Sequence, residues 1–264
     1  MKRIFAIIAA MGAFTGTFCS SHTEPANDSP IAAKPKGATR IMTFNVGAIG
    51  KFGDESFTVE NNVKLIADIV NESHTDAVAY QELDSCNNRN NFFQLKAVAE
   101  ATGKDWTYFY GPAIDYRGGK YGTGVAAKGK QPIKTLYIPI PVKEKSEPRV
   151  LTIAEYKDYV LACTHLNGGQ PAQVEFLTAE IMKLYGDSKK PVFLGGDMNA
   201  NVGKDMMNKF CENWTIISQT ELGSTVVTVT KPCIDFILQL NNKAKPVKVL
   251  GSAVIKQANS GDMK

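Results

Sequence analysis

Apolar residues follow two different spacings along the first part of the chain. They recur every three or four positions at 58–72 and again at 92–102, which predicts two amphipathic helices. Short β-prone runs at 40–46 and 76–83 precede these segments, and such runs predict buried strands. Gly103 supplies the usual C-terminal glycine of the second helix. The predicted order is therefore strand, helix, strand, helix.

The middle of the chain changes to short runs rich in β-branched and aromatic residues. These predicted strands are Trp106–Tyr110, Tyr121–Ala127, Thr135–Ile138, Val150–Tyr156 and Tyr159–Cys163. Turn residues separate them at Gly118-Gly119 and at Lys157-Asp158, and the second turn predicts a hairpin.

Helical spacing returns after residue 170. The predicted helix carries Val174, Leu177, Ile181 and Leu184 on one face and ends near Gly186. The remaining predicted elements are a strand at 191–194, a helix at 204–212 and β-prone runs at 225–230, 234–240 and 247–255.

Helices alternate with strands at both ends of the chain, and hairpins fill its middle. This pattern predicts an α/β (α+β) fold in which two mixed β-sheets pack face to face with helices outside. We expect each half of the chain to contribute one sheet.

Several predicted strands end or begin at a polar residue suited to phosphate or metal chemistry. These residues are Asn45, Glu82, His165, the pair Asp197 and Asn199, and Asp235. A strand buried on both faces first places polar side chains in a crevice where it ends. A carboxylate and an amide there can hold a water or metal together with a phosphoryl oxygen. Gly-Gly-Asp-x-Asn is also ordinary turn chemistry, and His165 could instead be a hydrogen-bonded core residue.

Six short motifs in the sequence resemble motifs of the endonuclease/exonuclease/phosphatase superfamily, which includes DNase I-like nucleases, inositol-polyphosphate phosphatases and bacterial sphingomyelinases. The motifs are TFNV at 43–46, QELD at 81–84, YGTGVAAK at 121–128, THLN at 164–167, GGDMNA at 195–200 and IDFIL at 234–238. They occur in the family's order from about Arg40 to the chain end. The resemblance implies a four-layer α/β sandwich.

The resemblance also implies an activity: metal-dependent hydrolysis of phosphate esters, with phosphodiesters favoured. Glu82 would be the main Mg²⁺ ligand, with Asn45 beside it, and Mn²⁺ is the expected substitute. Asp197 would orient the attacking water, and Asn199 would hold a nonbridging phosphate oxygen. His165 would hydrogen-bond the phosphate and stabilise charge in the transition state.

Four further residues have an expected role or position. Arg149 resembles a phosphate-facing arginine of the DNase I-like members, with a solvated surface charge as the alternative. Asp235 corresponds to the aspartate that orients the family's C-terminal histidine. Tyr110 and Tyr121 are expected either to line the crevice or to lie in the core.

The chain departs from the family pattern near residue 260. The pattern there reads Ser-Asp-His followed by a strand, whereas this sequence reads Ser260-Gly261-Asp262-Met263-Lys264. Asp262 aligns with the family's metal-site aspartate if Gly261 is an insertion, and Met263 then takes the histidine's place. We therefore expect a weakened hydrolase that lacks the usual last strand. The alternative is a catalytically impaired protein that binds phosphoesters at a surface.

The N-terminal segment predicts export from the cytoplasm. Lys2 and Arg3 precede an apolar run, within residues 1–18, that is too short to span a bilayer. Cys19, followed by serines, resembles the lipid-modified cysteine of a bacterial lipoprotein, with simple secretion as the alternative. A polar tether at 19–38 and a domain at 39–264 would follow. We expect a periplasmic or outer-surface location with membrane attachment through Cys19.

The net charge and the cysteine content bear on whether the protein binds nucleic acid or zinc and whether it forms disulfides. The chain has 30 basic and 26 acidic residues, so loss of Lys2 and Arg3 with the leader leaves 28 against 26, a net charge of +2. Proteins that bind nucleic acid through its phosphate backbone usually carry a basic surface stripe, and none is obvious in this sequence. The charge therefore does not favour nucleic acid as a substrate, although it does not exclude it. The sequence has five cysteines and no CxxC pair, which disfavours zinc and allows at most one disulfide.

Overall fold

The computed structural model describes residues 6–12, 34–50, 58–218 and 233–255. Two six-stranded β-sheets form its centre. The first sheet contains, in spatial order, β12 (Lys248–Ile255), β1 (Ala6–Gly12), β2 (Ala38–Asn45), β3 (Ala77–Ser85), β5 (Gly119–Lys128) and β4 (Trp106–Tyr116). The second contains β10 (Trp214–Ile216), β11 (Asp235–Leu240), β9 (Val192–Asp197), β8 (Val160–His165), β7 (Arg149–Glu155) and β6 (Lys134–Ile140).

Four α-helices and one short 3₁₀ turn join these strands in the described ranges. They are η1 (Gly47–Ile49), α1 (Val59–Glu72), α2 (Gln94–Thr102), α3 (Pro171–Tyr185) and α4 (Asp205–Cys211). The first helix begins where Thr58 Oγ1 accepts a hydrogen bond from the Asn61 N–H at 3.1 Å, which satisfies a donor that has no partner within the helix. Pro171 opens α3, where its missing N–H costs nothing.

Alternation along the strands divides the core into layers. In β2, Met42 and Phe44 pack with apolar residues of α1 and α2, whereas Ile41 packs with the second sheet. The far face of the second sheet is covered by α3 and α4. The order of layers is therefore helices, sheet, sheet, helices, as the sequence predicts.

A glycine lets the two sheets approach closely beneath the strand ends. A Cβ added at Gly195 in β9 would lie 2.7 Å from the Ala79 Cβ in β3 and 3.3 Å from the Thr43 Cβ in β2. Cys163 of β8 also reaches the first sheet, because its thiol donates to the Tyr80 carbonyl at 3.2 Å. This close packing fixes the separation of the polar residues that follow these strands.

Most predicted elements are confirmed within a few residues, and the departures have physical causes. The last strand, β12, joins the first sheet through β1, so each half of the chain does not contribute one sheet. On α3, Leu184 is 36% exposed and Tyr185 is buried, because a four-residue step from Ile181 continues the buried face better than a three-residue step. The predicted run at 225–230 lies outside the described residues.

Two strands were not predicted from the sequence, β1 and the short β10. Residues 6–12, part of the predicted export signal, form β1, which pairs antiparallel with both β2 and β12. The export signal itself stays a prediction, and its removal at residue 18 would take β1 out of the first sheet. Among the described residues, no helix has both the length and the apolar character needed to cross a bilayer.

Candidate active site

One side-chain amide joins carboxylates that come from the two sheets. Asn45, the last residue of β2, donates through Nδ2 to Glu82 Oε1 at 2.9 Å and to Asp197 Oδ2 at 3.1 Å. Its Oδ1 accepts from the Gly47 N–H at 3.0 Å, which fixes the orientation of the amide. Asn45 therefore holds the two carboxylates side by side above the sheet interface.

Glu82 reaches this position through an irregularity in β3. Its backbone is left-handed, with φ 59°, and the pairing of β3 with β5 shifts between Tyr80 and Leu83. A bulge of this kind redirects one side chain out of the alternation of its strand. The left-handed conformation costs a non-glycine residue about 1–2 kcal/mol. Such strain clusters at functional sites, so Glu82 is a candidate for function on backbone geometry alone.

Asp197 occupies the centre of the second sheet's edge. It is the last residue of β9 and lies between His165 of β8 and Asp235 of β11 in the strand registers. Its Oδ1 accepts from the Asn199 N–H at 2.8 Å, and the carboxylate is 6% exposed. Burial raises the pKa of Asp197 to about 6, although the hydrogen bonds from Asn199 and Asn45 oppose that rise. At neutral pH the group is an anion that accepts a proton readily.

Asn199 determines which nitrogen of His165 carries the proton. The Asn199 Nδ2 group donates to the Leu166 carbonyl at 2.9 Å and lies 2.9 Å from His165 Nε2. Since the amide nitrogen can only donate, we assign Nε2 as the acceptor and Nδ1 as the protonated atom. Both N–H bonds of Asn199 are then in use, so it positions His165 directly.

His165 is a buried neutral imidazole with one unused donor. Burial lowers the pKa of His165 to about 3, and the nearby Arg149 acts in the same direction. Nε2 lies 3.8 Å from Asp197 Oδ2, too far for a hydrogen bond, and Nδ1 is buried with no hydrogen-bond partner among the described residues. A buried N–H without a partner is costly, which indicates that a ligand or water completes this site.

Arg149 lies beside His165 and is not a solvated surface charge. It opens β7, is 9% exposed, and donates through Nε to Asn167 Oδ1 at 2.8 Å and through Nη1 to Glu147. A cavity of about 10 Å³, the size of one water, is lined by Arg149, His165 and Tyr121. His165 and Arg149 therefore border one small cavity.

The two tyrosines left open by the sequence have different positions. Tyr121 lines the cavity beside His165, and burial raises the pKa of its phenol well above the ordinary value. Tyr110 donates its hydroxyl to the Leu83 carbonyl at 3.2 Å and packs edge-on against Phe93. Tyr121 belongs to the crevice and Tyr110 to the core.

The structure thus brings Asn45, Glu82, Arg149, His165, Asp197 and Asn199 to one end of the two sheets. Asp235 opens β11 opposite Asp197 and is 8% exposed. Asp262 lies outside the described residues. Asn167 follows the same strand as His165, and the sequence offered it only as the last letter of THLN. Its anchoring of Arg149 depends on the loop before β7, which no local pattern predicts.

The donor set suits a hard cation held by few protein ligands. Among the described residues, no group of three or more His, Cys, Asp or Glu side chains could hold a metal ion. Mg²⁺ needs only one or two carboxylates, with waters and substrate oxygens as the other ligands. Glu82 is half-buried and keeps carboxylate oxygen capacity beyond its bond to Asn45, so these residues fit Mg²⁺. In the described part of the chain, Cys86, Cys163 and Cys211 are free thiols.

Comparisons with known proteins find similarity at the level of structure only. No protein-family model matches the sequence, and a search of curated proteins also finds no match. An endonuclease/exonuclease/phosphatase from Bacteroides vulgatus superposes with a TM-score of 0.59, at 15% identity over 75% of this chain and 85% of that chain. A mannosyl-6-phosphatase from Bacteroides thetaiotaomicron gives a TM-score of 0.59, at 13% identity over 75% and 84% of the two chains.

The catalytic domain of human Nocturnin, solved with a bound sulfate anion, is a third similar structure. Its TM-score is 0.57, at 16% identity over 76% of this chain and 81% of that chain. At these identities the comparison concerns architecture, and it agrees with the ordered motifs in the sequence. The chain has the fold of the endonuclease/exonuclease/phosphatase superfamily.

Proposed function

We propose that this protein is a Mg²⁺-dependent hydrolase of phosphate esters, with phosphodiesters as the favoured substrates and Mn²⁺ as a substitute ion. The observation that carries the proposal is the Asn45 amide, which holds Glu82 and Asp197 together beside His165. A protein of similar fold is named a mannosyl-6-phosphatase, so the fold is compatible with phosphatase chemistry.

Glu82 would hold the cation, with the Asn45 amide fixing its carboxylate. A bound Mg²⁺ supplies positive charge that polarises a phosphoryl oxygen. Glu82 is half-buried, so its side chain is not sealed from water and substrate. Asn45 acts chiefly through its donor group, because both Nδ2 hydrogens point at carboxylates.

Asp197 orients the attacking water and accepts its proton. Each oxygen of Asp197 already accepts one hydrogen bond, and a carboxylate oxygen can accept a second from a water. A positioned base of this kind contributes about 10² to 10⁴ in rate.

His165 and Arg149 receive the phosphate. His165 and Arg149 border the same small cavity, and an imidazole N–H and a guanidinium can both donate to phosphoryl oxygens. Asn199 would bind the phosphate only after releasing His165 or Leu166, so its first role is to hold the His165 tautomer.

We further propose action outside the cytoplasm. This part of the proposal is supported by the cationic and apolar start of the sequence and by Cys19, a candidate lipid anchor. Mass spectrometry of the mature protein from a native-like host tests it, since export predicts removal of residues 1–18 and lipid on Cys19. An intact N-terminus in the purified, active protein would contradict it.

Hydrolysis of bis-p-nitrophenyl phosphate in the presence of Mg²⁺ or Mn²⁺ tests the proposed chemistry. A bound cation stabilises the transition state by several kcal/mol, and Glu82→Gln should remove that cation. The hydrolysis rate of Glu82→Gln should therefore be lower by about a hundredfold or more. The matched control is Glu100→Gln, which removes an exposed carboxylate on α2 and should leave the rate unchanged. Rates that are equal in wild type and Glu82→Gln would overturn the proposal, and phosphoester binding without turnover would favour a binding protein.

A further inference from the structure

The end of the molecule opposite Glu82 carries exposed lysines from six separate segments of the chain. They precede β2, end β5, begin β6, and lie in the connections between β7 and β8, between α3 and β9 and between β11 and β12. We call these six residues the basic pole: Lys36, Lys128, Lys134, Lys157, Lys189 and Lys245. Because the segments are distant in sequence, the fold creates this surface, and no single charged run does.

The connection between β5 and β6 joins the same ends of the two sheets. Its Lys128 N–H donates to the Asp76 carbonyl, just before β3, at 2.9 Å. Its Ile133 N–H donates to the Glu155 carbonyl, at the end of β7, at 2.7 Å. The lysines of both sheets therefore face the same side of the molecule.

The charges of the basic pole are not balanced by its neighbours. Carboxylates at this end are paired with other lysines, in the ion pairs Lys34–Asp76, Lys130–Asp158, Lys190–Glu155 and Lys243–Asp187. Asp105, also at this end, adjoins exposed Lys104. Within the described ranges, no lysine of the basic pole forms an ion pair. The whole chain has a formal net charge of only +4 at pH 7, so its positive charge is distributed unevenly.

The residue types of the basic pole favour a broad anionic surface over a single bound phosphate. A lysine ammonium is a point charge on a flexible stem, whereas the planar guanidinium of arginine suits paired bonds to one phosphate. Arg40, which also lies at this end, is buried and donates to the Ser73 carbonyl. Ile133 is 66% exposed beside Lys134, and an apolar side chain next to cations can enter a layer of lipid headgroups.

The predicted membrane tether enters the domain at the same end. β2 begins at Ala38, so the tether predicted at 19–38 reaches the folded domain beside Lys36. A lipid on Cys19 would therefore bring the basic pole, and not the Glu82 end, to the membrane. A lipid chain and a basic patch on one molecule reinforce each other, because the first contact raises the effective concentration of the second.

We propose that the basic pole docks on an anionic lipid surface and that the candidate active site faces away from it. Negative headgroups spread over a membrane complement cations spread over one end of the protein, and no pocket is required. The eight residues of β2 place Asn45 about 25 Å from Ala38 along the strand. The site would then receive phosphoesters from solution and not the headgroups of the docked membrane. This last consequence rests on the proposed function, and the docking itself does not.

Binding to lipid vesicles tests the docking surface in the full chain carrying Cys19→Ser, which cannot be lipidated at that residue. Partition onto vesicles of phosphatidylcholine is compared with partition onto vesicles of equal parts phosphatidylcholine and phosphatidylglycerol. Each lysine near an anionic surface strengthens binding about fivefold, so the mixed vesicles should be preferred by about a hundredfold. Added salt should weaken this preference. The apolar leader is common to every variant, so it does not affect comparisons between them.

The informative variant removes three charges from the basic pole. Partition of this variant onto the mixed vesicles should fall by about a hundredfold. It combines Lys134→Gln, Lys157→Gln and Lys189→Gln, and the corresponding triple arginine variant should retain binding because its charge is unchanged. The matched control loses the same net charge from exposed lysines at the Glu82 end and should bind within about twofold of wild type, since electrostatic attraction decays over a Debye length. This control combines Lys143→Gln, Lys145→Gln and Lys204→Gln.

Several results would overturn the docking surface. Equal partition onto the two kinds of vesicle would do so, as would equal losses in the two triple glutamine variants or loss of binding in the triple arginine variant. Release by inorganic phosphate at constant ionic strength would assign a phosphate site instead. Binding of duplex DNA through the same lysines, without vesicle binding, would assign a nucleic-acid surface.

Folding and catalysis are kept apart from this test. If the triple glutamine variant melts at a lower temperature than wild type, the three single substitutions decide, each with an expected loss of about fivefold. Failure of Glu82-dependent hydrolysis would overturn the hydrolase proposal alone, because vesicle binding requires no turnover.

Discussion

Polar residues cluster at both ends of β3, but their hydrogen bonding and backbone conformation differ between the two ends. A cavity of about 10 Å³ lies at the Glu82 end, and a cleft of about 410 Å³ lies at the opposite end. The larger cleft is lined by Lys34, Val70, Asn71, His74, Thr75, Asp76 and Lys128. Volume alone would favour the end opposite to the proposed active site.

Structural needs account for the polar groups at the cleft end. His74 has φ 50° because it closes α1, where its N–H donates to the Asn71 carbonyl and the next N–H donates to Val70. Asp76 pairs with Lys34 at 2.5 Å and accepts from the Arg40 N–H at 2.8 Å. His74 thus ends a helix, and Asp76 ties the start of β3 to β2.

The Glu82 end shows the opposite pattern. The left-handed backbones of Glu82 and Asn199 close no helix, and His165 Nδ1 is buried without a partner in the described part of the chain. Such groups weaken the fold, so they point to a function that the fold alone does not require. Unexplained strain and unused buried donors are therefore better guides to a site than volume.

The largest expected effect is on the hydrolysis rate, and it is tested by the same Asp→Asn substitution at each end of β3. Asp197→Asn removes the candidate base, so the rate of bis-p-nitrophenyl phosphate hydrolysis should fall about 10² to 10⁴-fold. Asp76→Asn changes the same group at the cleft end and should leave that rate unchanged. A comparable loss of rate in both variants would show that the two ends do not differ in function.

The next prediction concerns stability and the close contact between the two sheets at Gly195, near the Glu82 end of β3. Gly195→Ala places a methyl group 2.7 Å from the Ala79 Cβ, so overpacking should lower the free energy of unfolding by about 1–3 kcal/mol. Gly251→Ala is the control, because its added methyl meets no atom within 4 Å. Urea titrations measure both variants, and equal stabilities would show that the sheets can separate without cost.

A smaller effect is expected at the cleft end, where polar groups stabilise the fold. Asp76→Asn removes an ion pair with partly buried Lys34 and weakens the bond to the Arg40 N–H, so unfolding should become easier by about 1 kcal/mol. Chemical denaturation detects this change. A variant as stable as wild type would remove the structural explanation for this end.

The smallest predicted effect is a gain in stability from a substitution at the C-terminal end of α1. His74→Gly relieves the left-handed strain at φ 50° and should stabilise the protein by about 0.5–1 kcal/mol, without change in hydrolysis rate. Thermal melting with a parallel rate assay checks both parts. A loss of activity in His74→Gly would give the cleft a functional role after all.

Local sequence patterns predicted the convergence at the Glu82 end but not its geometry. Strand ends carry Asn45, His165 and Asp197 because their preceding apolar runs are readable from the sequence. The bulge that turns Glu82 outward depends on pairing with β5, which is a tertiary property. The same holds for the pairing of β12 with β1, and for the protonated Nδ1 of His165.

The rim of the site was the part least open to prediction. Arg89 and Arg117 lie in loops, where charged residues are ordinary, and only the fold places them on Tyr116. Arg149 was recognisable by resemblance, yet its burial and its bond to Asn167 required the structure. Local patterns thus predict which strand ends carry chemistry, and tertiary packing determines what surrounds them.

Anomalous diffraction from crystals grown with Mn²⁺ locates the bound ion independently of turnover. We expect an anomalous peak at the Glu82 carboxylate beside Asn45, which Glu82→Gln abolishes. A peak at the cleft lined by His74 and Asp76 instead, or a peak near Asn45 that persists in Glu82→Gln, would contradict the assignment of the Glu82 end as the metal-dependent site.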